Sequence, residues 1–246
     1  MIYLKSNKEI EFIKKACLVW KKVRQVLIDN TQPGKTLVEL DELARKTTLD
    51  NGCETPFHNY RGFPGYNCMS VNDVIIHGIP TNYKLKNLDM ITYDIGVSYN
   101  GYICDAAFTV VIGDNPEAKR INDVCYNSLL KGIEQIKPNN RIGDISSAIE
   151  NYVKSNGYHV IKDFGGHGCG RNLHEDPIIL NYGEKGTGPL LKPNMVLCVE
   201  PMILTDNSSY YIDKDEWSVI AKNHKLSCHW EHMILVTDNG CEILTE

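Results

Sequence analysis

The sequence has no apolar run near the ~20 residues that a membrane-spanning helix needs, so no such helix is expected. It also lacks the basic and apolar regions of a secretory signal, opening instead as Met1-Ile-Tyr-Leu-Lys-Ser. Paired cysteines are missing as well. The nine cysteines are odd in number and contain no C-x-x-C spacing, which speaks against a zinc ribbon and a disulfide framework and for a reducing cytoplasm. Basic charge is in deficit, the net charge being −5, so a general nucleic-acid binder is not expected. Low-complexity tracts and Ser/Gly-rich linkers are absent too. What remains, 42% hydrophobic and 23% charged, is the composition of an ordinary globular protein, and 246 residues suffice for one large domain.

The local signals divide the chain into helix pairs and strands. Ser6-x-x-Glu9 reads as a capping box opening an amphipathic helix that runs to about Asn30. Gln32-Pro33-Gly34 ends it, and Thr36-x-x-Glu39 opens a second helix that stops near Gly52. The period then changes. Ile91–Val97 and Ile103–Ile112 read as strands joined at Asn100-Gly101, a strong two-residue turn signal. Helical patterning returns after Asn115-Pro116. There Lys137-Pro138, Ile142, Ile145 and Asn156-Gly157 repeat Gln32-Pro33, Leu37, Leu40 and Asn51-Gly52 at an offset of 105 residues. Either two turn–helix–glycine units are alike by chance, or the chain is an internal duplication with halves of roughly 1–113 and 114–246. Further strands are expected at Met195–Glu200 and His229–Thr237, which gives an α+β domain with helices covering a mainly antiparallel sheet.

Acidic residues fall within these strands. With Asn100-Gly101 as the turn, Tyr99 pairs with Tyr102 and Asp105 faces Gly96, so Asp94 becomes a same-face diagonal neighbour of Asp105. Two carboxylates converging among apolar neighbours such as Ile91, Ile95, Ile103 and Phe108 are costly unless a cation lies between them; the alternative is an exposed strand face. His167 stands in Gly165-Gly-His-Gly-Cys-Gly, either held by close-packed glycine backbone or carried on a surface loop. Glu200 ends an apolar strand ahead of Pro201, and Glu231 sits in the strand that starts at His229. Moving Asp94 by 105 lands on Val199, beside Glu200. Four carboxylates and one imidazole suit two divalent cations ~3.5–4 Å apart, and oxygen-rich donors lean toward Mn, Fe or Co.

Several stretches carry a resemblance. Ser70-Val-Asn-Asp-Val-Ile-Ile-His77-Gly-Ile-Pro, Asp94 through Asp105, Gly165-Gly-His167-Gly-x-Gly, His174-Glu-x-Pro and Asp215-Glu-Trp217 through Glu231-His occur in this order. Together they resemble the type I, bacterial-type methionine aminopeptidases from end to end. The resemblance implies a pita-bread (creatinase/aminopeptidase-like) fold of two pseudo-symmetric halves. It implies Asp94, Asp105, His167, Glu200 and Glu231 as ligands of two divalent ions (Mn, Fe, Co or Zn), with Asp105 and Glu231 bridging. It gives His77 and His174 substrate contact and oxyanion stabilisation, and Glu200 proton transfer to the leaving amine. Tyr60, Phe63, Cys68 and Trp217, with Phe57, would line a methionine pocket. A monovalent cation is implied near Asn72, Val74 and Ser227. The substrate would be the N-terminal methionine of nascent chains with a small second residue, in the cytoplasm and in reach of the ribosome, for a protein that is monomeric by default.

Two positions depart from the family pattern. Leu173 stands where Phe is common, and His229-Trp230 replaces Gln-Tyr. Prolidases and aminopeptidases P share the fold but usually carry an extra amino-terminal domain, for which a helix opening at Ser6 leaves no room. Type II methionine aminopeptidases carry a helical insert that the 30 residues from Glu200 to Glu231 do not accommodate. A non-catalytic binding module would typically have lost ligands, and none is lost here.

Overall fold

A computed structural model describes residues 1–246. In chain order it contains α1 (Asn7–Asn30), α2 (Leu37–Asp50), β1 (Cys68–Val71), β2 (Val74–Ile76), β3 (Met90–Tyr99), β4 (Tyr102–Val111), α3 (Pro116–Ile133) and α4 (Ile142–Ser155). The second run is all strand: β5 (His159–Val160), β6 (Gly165–Gly168), β7 (Glu175–Leu180), β8 (Val196–Val199), β9 (Met202–Leu204), β10 (Tyr210–Ile212), β11 (Val219–Ala221), β12 (Ser227–His229), β13 (His232–Thr237) and β14 (Gly240–Ile243). The strands form four antiparallel sheets, ordered β1-β3-β4, β10-β11-β2, β12-β9-β5 and β14-β13-β8-β6-β7. No helix is long and apolar enough to cross a membrane.

Local chemistry sets the helix starts. The Ser6 backbone N–H donates to Glu9 Oε2 at 2.7 Å, and Thr36 does the same to Glu39 at 2.8 Å, so both capping boxes form. α2 and α4 each span 14 residues and begin at Leu37 and Ile142, 105 positions apart, which keeps the offset read from the sequence.

The β3–β4 hairpin has the expected register, with Tyr99 opposite Tyr102 and Gly96 opposite Asp105. Its two faces differ in a way the sequence reading did not capture. Ile91, Tyr93, Ile95, Cys104, Ala106 and Phe108 share the face opposite the acids. That face takes α1: Trp20 meets Phe108 edge-on at 6.1 Å and donates its indole N–H to the Ala106 carbonyl at 3.1 Å. Of the apolar neighbours named above, only Ile103 lies on the acids' side. The edges of the hairpin are closed as well: β1 pairs along β3, and Glu231 exchanges backbone hydrogen bonds with Ala107 of β4.

The segment ahead of α1 is tied to the far half of the chain. Lys5 donates its backbone N–H to the Asn194 carbonyl at 2.8 Å, and its ammonium lies 2.5 Å from Glu175 Oε2, both side chains 1% exposed. Glu175 Oε1 accepts the backbone N–H groups of Arg171 and Asn172, at 2.7 and 2.9 Å. Arg171 pairs in turn with Glu9 on α1 at 2.6 Å. The loop bearing His174 is therefore anchored through charge at both ends.

Candidate metal centre

Three pieces of backbone bring the acids and His167 together. The first is the hairpin: Asp94 and Asp105 share its inner face, and Cys68 on β1 stands opposite Asp94 on the same face. The second is β6, which threads between β8 and the edge strand β7 in the five-stranded sheet. A Cβ on Gly166 would sit 2.1 Å from the Cys198 carbonyl oxygen, and one on Gly168 would sit 2.2 Å from that of Asp176. Only glycine lets these strands approach so closely, which settles the choice left open for this segment in favour of strand. Gly166→Ala is expected to push β6 off β8, costing about 1–3 kcal/mol and lowering Tm by roughly 3–10 °C. Thermal unfolding checks this, and an unchanged Tm would contradict the close-packing argument.

The third piece is a joint between sheets. β8 pairs with β13, but beyond Glu200-Pro201 the chain continues as β9 and pairs with β12. The partner strand is broken opposite, at Trp230-Glu231. Glu200 and Glu231 therefore occupy the gap where both chains change sheets, whereas the sequence reading set Glu231 within a continuous strand. In that gap Glu231 gives its N–H to the Ala107 carbonyl at 2.9 Å and accepts that of Ala107 at 3.3 Å. Ala107 is the residue opposite Asp94. Pro201, with no N–H to donate, suits a ladder that ends there.

Side-chain geometry follows. His167 Nε2 is 3.4 Å from Glu200 Oε1 and 3.7 Å from Asp105 Oδ2. Its Nδ1 lies 2.9 Å from the Gly168 carbonyl, which can only accept, so Nδ1 carries the proton and Nε2 presents a lone pair to the acids. Asp105, His167 and Glu231 each offer a donor atom within 4.8 Å of the others. Asp94 Oδ1, Asp105 Oδ1 and Glu231 Oε1 are buried without any hydrogen-bond partner. Burial, followed by repulsion from neighbouring carboxylates, drives Asp105 and Glu231 well above the usual carboxylate range, and burial lifts Asp94 to about 7 although His229 is near. Burial also pushes Glu200 upward, but the surrounding imidazoles of His229, His167 and His174 favour its carboxylate form and leave Glu200 low. Orphaned, mutually repelling oxygens that face one imidazole lone pair are the donor set a divalent cation satisfies.

Beside the acids lies a cleft of about 190 Å³. Phe57, Phe63, Cys68 and Leu173 form its buried apolar part, with Tyr60 and Trp217 packed against them. Phe63 meets Trp217 edge-on at 5.1 Å. His77, whose φ of 58° places it in the left-handed region directly after β2, sits with its ring edge-on to Trp217 at 6.2 Å. His174 is exposed on one side, yet its ring lies 4.4 Å from that of His167, and the Tyr60 hydroxyl is 2.9 Å from its Nδ1. Burial against these rings and the neighbouring His167 bring His174 down to about 4, and burial lowers His77 as well. Arg61, also on the lining, was missed in the sequence; its place between Tyr60 and Phe63 was the available signal. A wider groove of about 810 Å³ continues outward and shares His77, His167, His174 and Glu200. Asn72 and Ser227 also meet, the Asn72 carbonyl accepting the Ser227 N–H at 2.9 Å and its hydroxyl at 3.2 Å.

Comparison with known proteins follows the same lines. Residues 11–238 match the profile of metallopeptidase family M24. Methionine aminopeptidase of Mycoplasma genitalium is 44% identical over 248 residues, covering 100% of both chains, and methionine aminopeptidase 1 of Bacillus subtilis is 37% identical over 246 residues. The crystal structure of methionine aminopeptidase from Rickettsia prowazekii superposes with a TM-score of 0.97 at 36% identity, covering 100% of each chain. A prolidase from Pyrococcus horikoshii shares the fold at a TM-score of 0.81 and 26% identity, but only 63% of that chain is covered. Fold and sequence agree: the chain belongs to metallopeptidase family M24 and, within it, groups with the bacterial methionine aminopeptidases.

Proposed function

We propose that the protein removes the N-terminal methionine from polypeptides whose second residue is small, in line with the names its relatives carry. One observation carries the reading: a small apolar cleft ends at a buried group of acids, and a much larger groove leads away from that group. The cleft has room for one apolar side chain, and aromatic walls with the Cys68 sulfur suit a thioether. The groove takes the rest of the peptide. Initiator methionine is met on chains leaving the ribosome, and nine free cysteines fit the reducing cytoplasm in which that happens.

Asp94, Asp105, His167, Glu200 and Glu231 would hold two divalent ions, for which Mn, Fe, Co and Zn all qualify. When bound, such a pair supplies Lewis-acid polarisation of the scissile carbonyl and activates water near neutral pH. The protein's own groups do the rest. His174 and His77 are neutral at pH 7, so each offers a single N–H to the developing oxyanion. Tyr60 holds His174 in place through Nδ1, which leaves Nε2 as the nitrogen free for substrate. Glu200, between His167 and His229, is placed to carry a proton to the leaving amine.

The test is peptide cleavage by protein reconstituted with Mn or Co. Methionine is expected to be released from Met-Ala-Ser, with no release from Met-Lys peptides and no cleavage of Xaa-Pro peptides. Preference for Xaa-Pro would transfer the protein to the prolidase branch of the family.

A further inference from the structure

His229 ends β12, where it pairs with Met202 one step before the joint that holds Glu231. Its backbone is fixed, since the carbonyl accepts the Thr109 hydroxyl at 2.7 Å. The side chain is buried, the residue being 1% exposed, and its Nε2 has no hydrogen-bond partner. That nitrogen lies 3.5 Å from Glu200 Oε2, while the other oxygen of the same carboxylate lies 3.4 Å from His167 Nε2. Glu200 thus presents one oxygen to each of two imidazoles. One donor atom each from Glu200, His229 and Glu231 falls within 4.8 Å of the other two.

The spacing discriminates between two roles. A charged hydrogen bond between imidazole and carboxylate would close to about 2.7–2.9 Å. Two ligands of one cation, each bonded at ~2.1 Å and set at a tetrahedral angle, stand about 3.4 Å apart. Both imidazole–Glu200 distances match the second figure.

We infer that His229 is a sixth protein ligand of the proposed centre, its Nε2 joining Glu200 and Glu231 around one of the cations. The inference rests on the reading that Asp94, Asp105, His167, Glu200 and Glu231 hold the pair. A second imidazole gives the centre two nitrogen donors among its carboxylates, which favours Zn, Co and Fe over Mn.

X-ray absorption of the Zn-loaded full-length protein tests this directly. The wild type is expected to average one imidazole nitrogen per zinc, and His229→Gln half as many. Titration of metal-free protein in competition with a chelator should show one Zn affinity falling at least 10–100-fold in His229→Gln, with a smaller loss for Mn. A wild-type count of half an imidazole per zinc, with two ions bound, overturns the ligand role and leaves the dinuclear centre standing. That count needs no variant, so a misfolded His229→Gln protein does not blunt the test. Failure of the wild type to take up any divalent ion overturns both the centre and this inference.

Discussion

Asp105→Asn is expected to lower kcat/KM on Met-Ala-Ser by on the order of a thousandfold, the equivalent of the several kcal/mol that a correctly held metal contributes to the transition state. The substitution keeps the volume of a residue that is 4% exposed and removes only its charge. Asp105 lies within reach of His167, and after burial Glu231 and Asp94 do most to raise its proton affinity. Without an ion, Asn at this position relieves that repulsion. The variant should therefore unfold, in chelator, at or above the wild-type temperature, while metal pairing and turnover are lost. An inactive protein that is at least as stable separates site chemistry from folding. Turnover above a tenth of wild type would sink the assignment of Asp105 as a ligand.

Lys5→Met is expected to destabilise the protein by about 3–5 kcal/mol, because it strands a buried carboxylate whose partner ammonium is gone. For a domain of this size the loss corresponds to roughly 6–20 °C in Tm. Two backbone N–H groups would still satisfy Glu175 Oε1, but Oε2 would face apolar surroundings alone. A Lys5→Met/Glu175→Gln double variant should recover much of the difference, since a neutral amide no longer carries an uncompensated charge. Thermal unfolding of the two variants against wild type measures both effects. Equal Tm values for Lys5→Met and wild type would mean that the pair is solvated after all. Because Glu175 also caps the loop that presents His174, KM in Lys5→Met should rise along with the fall in stability.

Local signals carried much of this structure. Asn100-Gly101 set the hairpin register, and with it the placement of Asp94 beside Asp105, because a two-residue turn leaves no freedom in the pairing. The two capping boxes fixed the starts of α1 and α2 within a residue. The glycines around His167 announced close backbone approach, though not which strands would approach. What stayed hidden depends on contacts between distant residues. His229 through Thr237 reads as one apolar run, and hydrophobic period does not register a change of sheet partner at Trp230-Glu231. Lys5 and Glu175 are 170 positions apart, and nothing near either announces the other. Arg61 was missed because a charged residue beside a turn is normally solvated. His229 stood out only as a departure from a familiar pattern, and its orphaned nitrogen became visible only when the two broken strands were set side by side.

The joint between sheets has a thermodynamic consequence. Asp94 and Asp105 come from the hairpin, while His167 on β6 and Glu200 and Glu231 in the gaps between strands arrive more than sixty positions later, and they converge only where β8 and β13 hand over to β9 and β12. Ions held there, as proposed, would act as a clasp whose halves do not exist until the chain has folded. Occupancy and folding then share one equilibrium: free metal at a hundred times its dissociation constant adds about 2.7 kcal/mol to the native state. Metal supply would thereby set how long the molecule survives as well as how fast it turns over.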